Sequence, residues 1–234
     1  MILVPGNGGS QLEAKLNRSS TAHWWCSKTS DWYDLWLSLP ELLPYKIECF
    51  ADNIALVYDP VTRSTSNMPG VETRVPGFGH TTDSVEWLDK SKRDYSVYFA
   101  KIVEKLLPQG YIRGRNIHGA PYDFRRAANE HQEYFRKLKN LIEETYATNG
   151  NASVILMSHS MGSMMSLNFL NQQTKEWKDK YVRSLLSISG VWGGTARALK
   201  VFAVGDNMES WFLANTKLVG EQRTDSSLAW LMPA

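Results

Sequence analysis

The chain has 234 residues, 43% of them hydrophobic and 12% aromatic, and a formal net charge of +2. That is enough apolar material for one core, read here as one domain, and neither sign of charge is gathered into a block, which leaves no electrostatic case for nucleic acid as a partner. No run of about twenty apolar residues exists to span a bilayer and no repeat period stands out, and short basic pairs such as Arg125-Arg126 read as solvated or ion-paired.

In chain order, Ile2 to Val4 reads as a short buried strand followed by a glycine-rich turn. The start, MILVPGNGGSQLEAK, lacks the basic beginning and long apolar centre of a signal peptide, so the chain is expected to be either cytosolic or shorn of its leader. Residues 20–50 differ in character. Trp24, Trp25, Trp32, Tyr33, Trp36, Leu37, Leu39 and Leu42 crowd into an insertion that Cys26 and Cys49 bracket. Such aromatics suit a surface that is apolar at one end and wet at the other, including a membrane interface, and equally a small subdomain core.

Farther along, Tyr95, Phe99, Ile102, Val103 and Leu106 mark one face of a helix over 95–107, closed by Pro108 and Gly110. Asn116 to His118 is a weak strand. Tyr134, Leu138, Leu141, Ile142 and Tyr146 give a second amphipathic helix that Gly150 ends. Val154 to Met157 is a strand, Met161 to Gln172 a helix, and Leu185 to Ser189 a strand. This β-α-β-α-β alternation is that of an α/β protein with a mostly parallel sheet and crossover helices.

Two cysteines suit one disulfide in an oxidising compartment, or two free, buried thiols. Asn17-Arg18-Ser19 and Asn151-Ala152-Ser153 are N-glycosylation acceptor tripeptides. Together these features favour a lumenal or secreted protein over a cytosolic one.

The chemistry gathers at Ser158-His159-Ser160-Met161-Gly162, between a predicted strand and a predicted helix. That is the setting of a nucleophile elbow, in which a strained turn lifts a serine Oγ from the carboxyl end of a sheet. The neighbours two residues away on each side must be small because strand and helix pass close there. Gly162 meets this condition, and Ser158 stands where a first glycine is usual. The Met161 N–H is then half of an oxyanion hole. The alternative is an ordinary β-α turn rich in serine. His159 is not the base, since adjacent positions in a tight turn point apart, and it reads as a packed or exposed histidine. The other oxyanion donor is expected from Val4-Pro5-Gly6-Asn7-Gly8-Gly9, whose glycines let backbone N–H groups turn toward a ligand. As a phosphate loop this stretch lacks the lysine and the Ser or Thr of a Walker motif.

LVPGNGGSQLEAKL, VPGFGHT, GAPYDFRRA, SHSMG, WKDKYVRS and WGG occur in order over nearly the whole chain. In them the chain resembles the lecithin:cholesterol acyltransferase family, its lysosomal phospholipase branch in particular. The resemblance implies an α/β-hydrolase fold with Ser160 as acyl-accepting nucleophile and the Asn7 and Met161 backbone amides as oxyanion hole. Asn7 stands where that branch has an aspartate, a change a backbone donor survives. The resemblance further implies a Cys26–Cys49 disulfide within a hydrophobic, membrane-touching element that includes Trp32 and Trp36, and a lid over 201–231. GAPYDFRRA becomes a loop beside the core, with Asp123 paired to Arg125 or Arg126.

A serine nucleophile needs a histidine oriented by a carboxylate, both placed after it in the hydrolase order. The five histidines are His23, His80, His118, His131 and His159, and none follows Ser160. Asp179, Asp206 and Asp225 do follow it, but none sits after a recognisable strand of the right kind. The chain is therefore expected to be the N-terminal portion of a longer hydrolase, truncated before its triad Asp and His and inactive alone. The parent would be a phospholipase A and O-acyltransferase that passes an acyl group from glycerophospholipid to water or a lipophilic alcohol. It would work at a membrane surface, in the lysosomal lumen or outside the cell, with no cofactor and no metal. The rivals are a non-catalytic lipid-binding pseudoenzyme, a sterol or diacylglycerol acyltransferase of the same family, and a cytosolic esterase.

Overall fold

The computed structural model describes residues 1–207 and 214–233. In chain order the first elements are β1 (Ile2–Val4), β2 (Leu12–Asn17), β3 (Thr29–Trp36), α1 (Ile47–Ile54), β4 (Leu56–Asp59), β5 (Ser64–Asn67), β6 (Val71–Arg74) and α2 (Ala100–Leu106). Then come β7 (His118–Gly119), α3 (Gln132–Thr148), β8 (Val154–His159), α4 (Met161–Asn171), α5 (Lys175–Tyr181), β9 (Val182–Ile188), α6 (Ala196–Val204), α7 (Val219–Gln222) and α8 (Ser226–Trp230). They fall into two compact units.

The first unit comprises 1–11, 75–124 and 131–192. Its sheet is parallel throughout, in the order β7-β1-β8-β9. Leu3 pairs with Gly119 on one side and Met157 on the other, and Met157 in turn with Leu186. A strand covered on both faces reads as a continuous apolar run, and Ile2, Leu3, Val4, Val154, Leu156 and Met157 are all buried. Leu3 and Met157 pack on Val85, Phe99, Val103 and Ile117. Helix α3 buries Tyr134, Leu138, Leu141 and Ile142 of the stripe its periodicity predicts, while Tyr146 near its end is half-buried. The expected mixed α/β arrangement is present and is consistent with an α/β-hydrolase-like fold.

Two predicted elements are corrected. The helix over 95–107 begins only at Ala100, because Val97 is drawn into an antiparallel bridge with Trp87, and Tyr98 N–H bonds to Glu86 C=O at 2.8 Å. The last strand starts at Val182, three residues early. Its first residues include the exposed Arg183 and Ser184 at the sheet edge, where pairing to β8 needs no apolar side chain.

The second unit comprises 12–74, 125–130 and 193–234. It has an antiparallel sheet in the order β3-β2-β6, a β4-β5 hairpin, and helices α1, α6, α7 and α8. Leu12, Ala14, Leu16, Leu35, Ile47 and Phe50 form its buried interior. Arg125, expected to be solvated or ion-paired, is 0% exposed. Its guanidinium donates to Ile54 C=O (2.8 Å), Asn67 Oδ1 (3.0 Å) and Thr73 Oγ1 (2.9 Å), so a buried charge satisfies backbone and side-chain acceptors of three segments. Arg126 donates to Thr65 C=O at 2.7 Å. No described helix is long and apolar enough to cross a membrane.

Candidate active site

Strand β8 runs into Ser160 and helix α4 leaves from Met161. Ser160 sits at φ 51° and ψ −123°, a conformation L-residues avoid and one that turns the chain sharply between strand and helix. Its N–H is tied to Ile188 C=O at the end of β9 (2.9 Å), and its C=O accepts from Ser163 N–H (3.0 Å). The side chain is half-buried, whereas Met161 is fully buried. Met161 N–H lies in the first turn of α4, where amides have no partner within the helix and the dipole favours negative charge.

Close approach explains the small residues. A Cβ on Gly162 would stand 2.3 Å from Pro5 O and 2.5 Å from Val4 O, so α4 abuts the end of β1 directly. Ser158 is fully buried with its hydroxyl 2.7 Å from Ser166 Oγ on α4, and Ser163 Oγ is 2.8 Å from Ser187 Oγ on β9. These hydroxyls tie both strands to the helix.

The 6–9 turn closes through Gly9 N–H to Gly6 C=O at 3.0 Å, with Gly8 at φ 69°. A Cβ on Gly6 would lie 2.9 Å from Ser160 Cβ, which places the turn against the serine. Asn7 is exposed at its tip, and its Nδ2 donates to Phe124 C=O at 3.3 Å. Ser160, Met161 and Asn7 thus come together within one unit. His159 points into the same neighbourhood: its Nδ1 is 2.5 Å from Tyr98 Oη, which also accepts from Gly6 N–H at 2.9 Å. The sequence pattern gives Tyr98 no role and leaves His159 as a packed or exposed histidine.

The other histidines lie elsewhere. His131 Nε2 faces Asp123 C=O at 3.0 Å, His118 Nδ1 faces Gly79 C=O at 3.0 Å, and His80 is exposed. In the second unit His23 pairs with Glu48 at 2.8 Å.

The remaining candidates fall as follows. Cys26 and Cys49 form a disulfide with a Cα separation of 5.5 Å. Around it lies a cavity of about 750 Å³ lined in part by Trp24, Trp25, Tyr33, Tyr45 and Lys46. Trp32 is half-buried with the Arg74 guanidinium 4.2 Å above its ring, and Trp36 is half-buried. Trp24 is 90% and Tyr45 74% exposed, so the most open aromatics are not the two expected. Nothing in composition says which way a tryptophan faces. In the 201–231 segment, α6, α7 and α8 are described and residues 208–213 lie outside the described residues. Asn17 is exposed at the end of β2, and Asn151 is exposed with φ 60° in the turn before β8, at the opposite end of that strand from Ser160.

Comparison with known proteins agrees with the resemblance. Residues 32–234 match the family described as lecithin:cholesterol acyltransferase. Over its full length the chain is 47% identical to the lysosomal phospholipase A and acyltransferase of Rattus norvegicus and 47% identical to that of Homo sapiens, covering 56% of each. It is 40% identical to the phosphatidylcholine-sterol acyltransferase of Mus musculus, again along the whole chain and over 53% of that protein. The chain spans about half the length of the curated relatives it matches. On a family match over residues 32–234 and identities of 40–47% along its whole length, the chain belongs to the lecithin:cholesterol acyltransferase family.

Proposed function

We propose that this chain carries the nucleophile and oxyanion hole of a serine-dependent phospholipase A and O-acyltransferase. The observation that carries the reading is Ser160 at φ 51° between β8 and α4, with the 6–9 turn against it. Ser160 Oγ attacks the acyl carbonyl of a glycerophospholipid as its proton passes to a histidine. The Asn7 and Met161 N–H groups receive the oxyanion, each such donor being worth about 3 kcal/mol of transition-state stabilisation. The lysophospholipid alkoxide leaves with that proton. Water then releases a fatty acid, or a lipophilic alcohol takes the acyl chain, and Ser160 is restored.

No histidine follows Ser160 in these 234 residues, and this reading assigns neither the base nor its carboxylate partner to any of them. The 20–50 insertion meets the phospholipid surface. Trp32 and Trp36 take part, and the open Trp24, Trp25 and Tyr45 support the same role. Residues 201–231 act as a lid. The enzyme works in the lysosomal lumen or outside the cell, carries glycans on Asn17 and Asn151, and requires neither metal nor cofactor. Names of the relatives that include phospholipase A, acyltransferase and lysosomal support this reading.

The test is the full-length protein on phospholipid vesicles, with and without a labelled lipophilic alcohol. Fatty acid and acylated alcohol should both form, and Ser160→Ala should remove both. Unchanged vesicles, or turnover that survives Ser160→Ala, would sink the proposal.

A further inference from the structure

The turn that bears Asn7 is braced by two side chains that acyl transfer does not itself employ. Gly6 N–H donates to Tyr98 Oη (2.9 Å), and Oη lies 2.5 Å from His159 Nδ1. A Cβ on Gly9 would stand 2.8 Å from the Tyr98 Cε1, Cζ and Oη atoms, so the ring is seated against both ends of the turn. On its other side the turn meets Ser160, 2.9 Å from where a Gly6 Cβ would be. A displaced Tyr98 therefore displaces the Gly6–Gly9 turn relative to the serine.

Proton accounting favours one assignment of the roles. An amide N–H can only donate, so Gly6 occupies one lone pair of Tyr98 Oη. A proton on His159 Nδ1 would fill the other lone pair and leave the phenolic proton with neither of these partners, whereas a bare Nδ1 accepts it, with His159 neutral and its proton on Nε2. Burial pushes the Tyr98 phenol up and the His159 imidazole down, and each shift favours this arrangement.

We infer that Tyr98 and His159 are a positioning pair that sets the Asn7 amide against Ser160, with His159 acting through Tyr98 as a neutral acceptor. The inference rests on the proposed reading of Ser160 as nucleophile. Phenylalanine at 98 keeps the ring and removes the bond. Asparagine at 159 keeps an acceptor near the place of Nδ1, and leucine removes it.

The experiment uses the full-length enzyme on phospholipid vesicles and on a soluble acyl ester, with folding checked by circular dichroism. For Tyr98→Phe and His159→Leu, kcat should fall about 10- to 100-fold while KM stays within about twofold, the pattern of an interaction made in the transition state. His159→Asn should recover to within about threefold of the parent, because an acceptor again faces Tyr98. Independently of turnover, ¹⁵N shifts of the His159 ring should show Nε2 protonated and Nδ1 accepting. The pair is overturned if either Tyr98→Phe or His159→Leu keeps the parent kcat, if His159→Asn is as impaired as His159→Leu, or if Nδ1 carries the proton. Turnover surviving Ser160→Ala overturns the nucleophile reading instead. A parent-like Tyr98→Phe in an enzyme that Ser160→Ala inactivates overturns the pair alone.

Discussion

The hydroxyls of Ser158 and Ser166 lie 2.7 Å apart, both fully buried, between strand β8 and helix α4 beside the Ser160 turn. At Ser158 the serine hydroxyl is kept inside the core only because α4 offers it a partner. Alanine at 166 would leave the Ser158 hydroxyl without Ser166 as its partner and should cost about 1–2 kcal/mol. Alanine at both positions removes the need together with the partner. Urea unfolding of the two single variants and the double should show a double loss smaller than the sum, by at least about 0.5 kcal/mol. Additive losses would mean that the pair contributes no coupling.

The sharp turn at Ser160 was legible because such a strand-to-helix junction is local: one apolar strand, five residues and one helix carry all its constraints. Residues 6–9 were legible for the same reason. Tyr98 was not, because its partners Gly6 and His159 lie 92 and 61 residues away along the chain. Its backbone left the predicted helix when Val97 paired with Trp87, a tertiary contact that overrode the apolar stripe from Tyr95 to Leu106. The strands of the second unit were equally silent. Ser64–Asn67 and Val71–Arg74 are short and largely polar, with Thr65 and Val71 the buried side chains among them. Such strands are held by pairing with neighbours rather than by a hydrophobic period.

Gly162 is a test of how tightly the elbow is built. An added Cβ would meet Pro5 O, Val4 O and Pro5 C within 2.9 Å, all of them backbone atoms with no rotamer to move. Gly162→Ala should therefore cost at least about 2 kcal/mol and part α4 from the end of β1. Gly193→Ala serves as the control, since nothing lies within 4 Å of its Cβ position. Equal denaturation midpoints for the two variants would contradict the close approach.

The Cys26–Cys49 bridge closes a segment of sequence separation 23. Restricting an unfolded loop of that length is worth about 3 kcal/mol on the chain-entropy account. Replacing both cysteines by serine should lower stability by about that amount, read from guanidinium unfolding. A reductant should bring the parent to the same midpoint as the double variant. A midpoint indifferent to both treatments would show that the surrounding packing, with α1 and β3, holds the insertion without the bridge.

Glu86 is 1% exposed and accepts two bonds from Arg113, from Nε at 2.7 Å and Nη2 at 2.6 Å. Its backbone C=O also holds the N–H groups of Tyr98 (2.8 Å) and Ala100 (3.2 Å), so the Glu86 backbone anchors the residue that braces the Asn7 turn. Burial alone would push the carboxyl up. Hydrogen bonds from Arg113 and Thr82, together with the Arg113 charge, outweigh burial and hold it below its ordinary value. A carboxyl depressed in the folded state contributes stability that is complete above its unfolded value, about 4.3, and is lost as pH falls through the folded value. Arg113→Ala reverses the balance by leaving a buried carboxylate without its cation. It should destabilise by about 2–3 kcal/mol at pH 7, and by less toward pH 4, where the orphaned group takes up a proton. Urea unfolding from pH 4 to 7 measures this directly. A loss of equal size at both ends of the range would mean that Arg113 acts through packing of its side chain and not through its charge.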